Sequence, residues 1–565
     1  MKQFPILAIL PLLISVSAPG ARYEPSYSTE GMVASAEPLA TRAGFEVLRE
    51  GGNAADAAVA VGFALAVTYP SAGNLGGGGF LVYRKSSGEV FTLDYREKAP
   101  GAASADMFLN ERGEPDPALS RSGPLAAGVP GSVAGMLETL SRFGSGKFNR
   151  RQIIARALRL SEEGFPITRS LHEELTEQRE RLIACSSTAR AYYPEGKAPE
   201  AGKIFRQPEL ARSLAEIAAK GAAGFYGGWV ADSLASFMAA SGGLITRQDL
   251  AAYKCIERLP ITFRYKEYCL YGMGPPSSGG VVLGQLLGLL EPFDLKALGH
   301  NSASYVNRLA EAERLAFADR NHYLGDADFV DIPLDKLLSK EYLDRRRGQM
   351  PLDSAGRSAE TLPGKPEAGE TTHFCVVDRW GGAVAVTTTL NGGFGNGMVV
   401  PGAGFLLNNE MEDFTTAPGR PNMFGLVQGE ANAIAPAKRM LSAMTPTIVT
   451  RRTDKDEEEL FLVLGASGGP TIITTVLQVF LNSVVFGRNL REAVDAPRFH
   501  HQHLPDEIAV EKFALSRETA ERLEKMGYKL REREYIGSAS AIRVLSEGWF
   551  AGWADWAGAG AGTGW

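Results

Sequence analysis

A threonine hydroxyl does chemistry when a base sits beside it and a neighbour holds it in place. Thr371 opens the run TTHFCVVD, which is followed by GGAVAVTT; both are strand-like and a turn containing Gly381-Gly382 joins them. With pairing centred on Trp380, Thr371 falls opposite Thr389, and a bulge would move that register. Gly468-Gly469 ends FLVLGASGG and precedes PTIITTVLQVFLNSVV, so the pair stands between a strand and a helix. There, glycines let backbone N–H groups face a site, and a helix start favours developing negative charge. Pro470 suits the first helical turn. NNEMED sets Glu410 and Asp413 close together, and two neighbouring carboxylates repel until a cation joins them. Arg96, in LDYREKAP, carries the planar fork that fits a carboxylate. Each has a plainer reading: Thr371 and Thr389 as strand residues, the glycines as a helix-start turn, Arg96 and Glu410 as surface charges.

Other signals lead nowhere. Neighbouring side chains in a strand point opposite ways, so His500-His501-Gln502-His503 is a poor metal cluster, and no HExxH or cysteine pattern supports it. Gly144-Ser145-Gly146-Lys147 lacks a complete phosphate loop. Cys185, Cys255, Cys269 and Cys375 show no CxxC spacing; Cys255 and Cys269 could pair in an oxidising compartment, but isolated thiols are the simpler reading. A formal net charge of -6 argues against a nucleic-acid partner. No metal and no cofactor are expected.

The elements that must position these residues are legible in outline. Met1-Lys2-Gln3, the apolar Phe4–Val16 and the small residues to Ala21 read as a signal peptide, 1–21, which implies a periplasmic or secreted protein. Gly51 to Val67 is a small-residue helix built for close packing. SAGNLGGGGF breaks it, and FLVYR and VFTLDY form a hairpin. Residues 130–350 are mainly helical, with PITFRYKEYCLYGM as a strand pair inside them. The polar stretch 351–370 reads as an exposed connector of the kind that can be cut. Alternating strands and helices on both sides of Thr371 favour a layered architecture.

These segments, in order, resemble the γ-glutamyltranspeptidase family. TTHFCVVDRWGGAVAVTTTLNGGFG resembles the start of its catalytic subunit, and NNEMEDF, LSAMTPTIV and GASGGPTIITT extend the likeness. Upstream, GGNAADAAVA, SAGNLGGGGF, LDYREKAP, GVPGSVAG, PPSSGG and AFADRNHYLGD do the same. The resemblance implies an α+β fold, the four-layer αββα sandwich of N-terminal nucleophile hydrolases. It also implies a precursor that cuts itself between Glu370 and Thr371. The products would be a large subunit, 22–370, and a small catalytic subunit, 371–565, forming one composite domain. Thr371 would be the nucleophile, Thr389 its support, and Gly468 and Gly469 the oxyanion donors. Arg96 and Ser442 would bind a donor's α-carboxylate, and Asn391, Glu410 and Asp413 its ammonium. Residues 415–430 resemble a lid, with Phe424 where a tyrosine is common.

The implied activity is γ-glutamyl hydrolysis and transfer on glutathione and related amides, with water, amino acids or short peptides as acceptors. The alternatives are a glutaryl or cephalosporin acylase on the same fold, or a processing-dead binding protein. Two features depart from the family pattern. Ala443 follows Ser442 where a second serine is usual, which removes one hydroxyl. Asp555 is followed by Trp556-Ala557 rather than a basic residue, so the ion pair of that arginine cannot form, and tryptophans 549, 553, 556 and 565 either pack, the plainer reading, or mark an exposed binding patch.

Overall fold

The computed structural model describes residues 24–358, 371–417, 420, 422, 423, 426, 428–555 and 561–564. The signal-peptide reading, Glu370, Phe424, Trp556 and Trp565 lie outside the described residues.

Two seven-stranded antiparallel sheets organise the chain. One runs Ala561–Gly564, Gly31–Ser35, Thr372–Asp378, Ala383–Thr389, Gly78–Arg84, Val90–Asp94, Ile256–Arg258. The other runs Ser26–Ser28, Phe550–Ala554, Ser538–Val544, Glu458–Ser467, Thr447–Arg452, Tyr268–Gly272, Ile261–Tyr265. Each mixes strands from before and after Thr371. In the first, the two strands that follow Thr371 lie between strands from the earlier part of the chain.

An apolar seam joins the sheets. Val82, Cys375, Val377 and Ala385 from one meet Ile448, Val463 and Ile542 from the other. Helices flank both sheets. Pro38–Arg49 and Ala54–Thr68 pack with Leu81, Val376 and Val384. Gly279–Leu290, Ala303–Tyr323 and Thr471–Val484 pack with Leu270, Leu462 and Leu464. The result is an α/β fold of the N-terminal nucleophile hydrolase type.

Helix Ala54–Thr68 is buried on every side, as a helix apolar all round must be. It starts three residues later than the sequence reading because Asn53 caps it: its side chain accepts from Asp56 N, and the Asp56 carboxylate accepts from Asn53 N. Small residues let its neighbour approach, and a methyl on Gly44 would lie 2.4 Å from Val61 Cγ2.

The hairpin carrying Thr371 pairs Thr372 with Thr388 and Val377 with Ala383, so its centre is Trp380 and no bulge intervenes. The Asp378 carboxylate fixes the turn, accepting from Trp380 N and Gly382 N at 2.9 Å each. Gly381 takes a φ of 85°, which suits glycine. Residues 268–272 and 261–265 pair as expected. All four cysteines are free thiols, Cys255 and Cys269 included. Among the described residues no helix is long and apolar enough to cross a membrane.

The residue after Asp555 is not basic, yet Asp555 itself holds a buried ion pair. Asp555 accepts from Arg498 Nη2 at 2.8 Å, and the same guanidinium donates to the carbonyls of Ile536 and Gly537. An arginine from the PRFHHQ segment supplies the charge. Trp553 packs, stacking under Arg491 at 4.1 Å and donating to Asp495, whereas Trp549 is 45% exposed.

Candidate active site

Thr371 stands just before the first residue of its strand, which brings its side chain to the edge of a cleft. Its hydroxyl donates to Thr389 Oγ1 at 3.4 Å. The same oxygen accepts from Asn391 N at 2.7 Å, so the support is itself held. Asn391 pays for that turn with a positive φ of 74° and steadies itself through Nδ2 on the carbonyl of Asn409.

The backbone of Thr389 is clamped from the glycine-rich run. Asn74 Nδ2 donates to the carbonyl of Thr389 at 2.8 Å and to that of Ala72, while Asn74 Oδ1 accepts from Gly77 N and the Ser132 hydroxyl. The glycines make room for this. A methyl on Gly77 would sit 2.0 Å from the Thr389 carbonyl, and one on Gly76 2.1 Å from that of Leu406. The run thus packs backbone closely against the end of the Thr389 strand, and Asn74 was missed. It lay inside a quoted segment as an isolated polar residue among glycines.

The cleft beside Thr371 is lined by Arg96, Arg320, Thr389, Asn391, Glu410, Asp413, Ser442, Ala443 and Gly469. Thus all the substrate-binding candidates converge on the threonine pair. Glu410–Asp413 is a 3₁₀ turn, whose three-residue period puts Glu410 and Asp413 on one face. Arg96, just past the end of Val90–Asp94, meets them there, with one nitrogen on each carboxylate. Its Nε donates to the Met440 carbonyl at 3.3 Å. The sequence reading separated a carboxylate-binding arginine from an ammonium-binding acidic pair. In the structure the three form one buried ion cluster, so Arg96 already relieves the repulsion between the two acids.

Burial pushes the Glu410 and Asp413 carboxyls up, and Arg96 opposes this. Glu97 is fully buried in the same cluster, 3.7 Å from Arg96 Nη1, and its oxygens accept no hydrogen bond among the described residues. Burial raises it to about 8 against the pull of Arg96. The sequence marked Glu97 only as the residue after Arg96. Once the strand ends at Asp94, alternation no longer says which neighbour faces inward.

Ser442 is held by the PPSSGG segment. Its backbone N–H donates to the Pro276 carbonyl, and its carbonyl accepts from the N–H and hydroxyl of Ser278. Ala443 adds only a methyl to the wall. Arg320, on helix Ala303–Tyr323, completes it, donating from Nε to Ser278 Oγ at 3.2 Å and from Nη1 to Asn321 Oδ1 at 3.0 Å. Nothing in the segment AFADRNHYLGD distinguishes this arginine from its neighbours by sequence.

Gly468 and Gly469 lie between Glu458–Ser467 and Thr471–Val484, with φ of 120° and 59°. These values favour glycine at both positions. Gly469 lines the cleft, while Gly468 is pinned behind it, its carbonyl accepting from Thr471 Oγ1 at 2.8 Å. Pro470 is the residue capping the helix rather than its first turn. Around the expected lid, Leu426 lines the cleft and Met423 Sδ lies 3.7 Å from Asn391 Nδ2.

The histidine run serves structure. His500 is bonded to Thr474 Oγ1 and Gln502, and His501 faces Asp506 at 3.4 Å. Among the described residues no group of His, Cys, Asp or Glu side chains converges as metal ligands.

A hydroxyl at a strand start, a supporting hydroxyl, a glycine turn at a helix start and a cleft of mixed charge together suit acyl transfer through a covalent ester. Comparison with known proteins agrees. The family model described as Gamma-glutamyltranspeptidase matches residues 40–565. The chain is 45% identical over 537 residues to the glutathione hydrolase proenzyme of Escherichia coli K12, covering 94% of this chain and 91% of that protein. It is 36% identical to the acylase ACY 1 proenzyme of Pseudomonas sp. V22, covering 94% and 93%. Among solved structures, the cephalosporin acylase of Bacillus halodurans superposes with a TM-score of 0.84 at 26% identity, covering 99% of each chain. Helicobacter pylori γ-glutamyltranspeptidase gives 0.56 at 45% identity, covering 57% and 93%. With a family model spanning nearly the whole chain, this protein belongs to the γ-glutamyltranspeptidase family.

Proposed function

We propose that this protein is a self-processing γ-glutamyl hydrolase and transferase acting on glutathione and related γ-glutamyl amides. The observation that carries this is the sharing of one cleft by the Thr371 hydroxyl and a buried cluster of both charge signs. A cleft with guanidinium and carboxylate groups fits a head group that is itself both ammonium and carboxylate.

Maturation begins with Thr371 Oγ attacking the carbonyl of Glu370. The C–N bond breaks and leaves an ester, with the nitrogen now a free α-amine. Water hydrolyses the ester, yielding a Glu370 carboxylate and Thr371 at a new N-terminus. That amine, with a reference pKa of about 7.7–8.0, then takes the proton from the Thr371 hydroxyl. The oxygen attacks the γ-carbonyl of the donor, and Gly468 and Gly469 N–H groups receive the oxyanion. The amide C–N bond breaks, the leaving amine takes the proton, and a threonyl ester remains. Water or an amino acid or peptide amine attacks this ester and restores the hydroxyl. Arg96 and Ser442 serve the donor's α-carboxylate, and Asn391, Glu410 and Asp413 its ammonium. Phe424 is the aromatic residue of the lid.

The apolar seam between the sheets and the helix-packed core on the other face of each accord with a four-layer αββα stack, in which 22–370 and 371–565 stay together as one composite domain. The start at 1–21 supports export to the periplasm or medium.

A second reading, a glutaryl or cephalosporin acylase, draws on the acylase relatives and on Ala443. The acidic pair argues against it, because a glutaryl group has no ammonium. One experiment decides: intact mass and N-terminal sequencing of the purified protein, with rates on γ-glutamyl and glutaryl p-nitroanilide. Cleavage at 370–371 with preference for the γ-glutamyl donor is expected. An uncut inert chain, or an equal or faster glutaryl rate, overturns the proposal.

A further inference from the structure

Arg320 is the one cleft cation not yet accounted for. It is 1% exposed, yet it lines the same wall as Ser442 and Ala443. The nitrogens of Arg96 are engaged by Glu410, Asp413 and the Met440 carbonyl. Ser278 and Asn321, which accept hydrogen bonds from Arg320, are both neutral, and among the described residues no carboxylate pairs with its guanidinium. A buried cation left among neutral acceptors is costly unless an anion joins it. Asp413 is near enough to act on it through space, but burial still holds the group down, to about 10.

Its placement is specific. Ser278 Oγ accepts from Arg320 Nε and donates to the Ser442 carbonyl at 2.6 Å, so the guanidinium is one hydroxyl removed from the Ser442 backbone. On that wall Ser442 offers a hydroxyl and Ala443 offers none. An anion reaching Ser442 therefore comes to the wall that this guanidinium also lines.

We propose that Arg320 is a specificity-determining residue that binds the α-carboxylate of the donor, on the wall where Ala443 supplies no hydrogen bond. This rests on the γ-glutamyl reading above. It adds Arg320 to Arg96 and Ser442 as a ligand of the carboxylate and leaves Asn391, Glu410 and Asp413 to the ammonium.

The test uses processed wild-type protein, Arg320→Gln and Arg320→Lys with three p-nitroanilides. The γ-glutamyl donor carries both carboxylate and ammonium, the glutaryl donor only the carboxylate, and the 4-aminobutyryl donor only the ammonium. Arg320→Gln is expected to raise KM about tenfold or more for the two carboxylate donors, with kcat little changed and the 4-aminobutyryl donor affected less than about twofold. Arg320→Lys should fall between, keeping charge but not the fork. Equal losses on all three donors would mark a structural residue and overturn the proposal, as would an unchanged KM for the carboxylate donors. If Arg320→Gln does not fold or process, Arg320→Lys decides alone, and a wild-type KM overturns the idea. Wild-type preference for the glutaryl donor would sink the γ-glutamyl reading instead, while the glutaryl KM still judges Arg320.

Discussion

Thr389 accepts two hydrogen bonds at one oxygen, from the Thr371 hydroxyl at 3.4 Å and from Asn391 N at 2.7 Å. Thr371 is thus aimed by a residue whose own position is set by the next turn of the chain. Replacing Thr389 with Ala should lower kcat about tenfold with little change in KM, the effect of losing one orienting hydrogen bond. Thr389→Ser should stay close to wild type. Steady-state kinetics with a γ-glutamyl anilide tell these apart, and full kcat in Thr389→Ala would remove Thr389 from the site.

Gly77 makes a second prediction. A methyl there would approach the Thr389 carbonyl to 2.0 Å and Asn74 Oδ1 to 2.6 Å, so backbone must move. Gly77→Ala should cost about 1–3 kcal/mol of stability, as overpacking does, and reduce activity by displacing Thr389. A melting temperature and a kcat equal to wild type would show that the contact is slack.

Ala443 invites the reverse change. Ala443→Ser would add a hydroxyl to the wall beside Ser442, and one hydrogen bond to a charged group is worth about 1.5–3 kcal/mol. The γ-glutamyl KM should fall, with the 4-aminobutyryl KM unmoved. A parallel fall in both would mean that the new hydroxyl acts on something other than the carboxylate.

The pH dependence of stability follows from two buried histidines. Burial holds His373 and His500 down to about 3, so the folded protein keeps them neutral while the unfolded chain protonates near 6.5. Their contribution is complete above about 6.5 and is lost as pH falls through that value toward about 3. Each adds a slope of up to about 1.4 kcal/mol per pH unit in that window. Urea titrations between pH 7 and pH 4 check this, and His373→Gln should flatten the curve. A slope unchanged in that variant would mean that His373 titrates equally in both states.

Asp555 and Arg498 form a buried pair at 2.8 Å. Asp555→Ala leaves the guanidinium buried without that partner and should cost about 3–5 kcal/mol. Thermal unfolding measures it, and a loss under about 1 kcal/mol would place the pair among weak surface-like bridges.

The hairpin was legible in the sequence because its signals are local. Gly381 permits the turn and Asp378 caps it, and because no bulge intervenes the pairing centred there opposes Thr371 to Thr389. The glycine pair at 468–469 was legible for the same reason. The ion cluster was not. Arg96 meets residues 314 and 317 positions away, and only the 3₁₀ turn decides that Glu410 and Asp413 share a face. Arg320 was hidden differently: its helix is buried over most of its length, so no polar stripe distinguished a cleft residue from a packed one.

The interleaving of the two sheets has a mechanical consequence for a chain cut before Thr371. The Thr372–Asp378 and Ala383–Thr389 strands are gripped on both sides by strands from the earlier segment, and the second sheet is woven from both segments as well. A nick there would free a terminus without loosening either piece, since pulling them apart means tearing ladders in both sheets at once. Halves expressed separately would each be born with raw edges, and would have to find one another before either could fold.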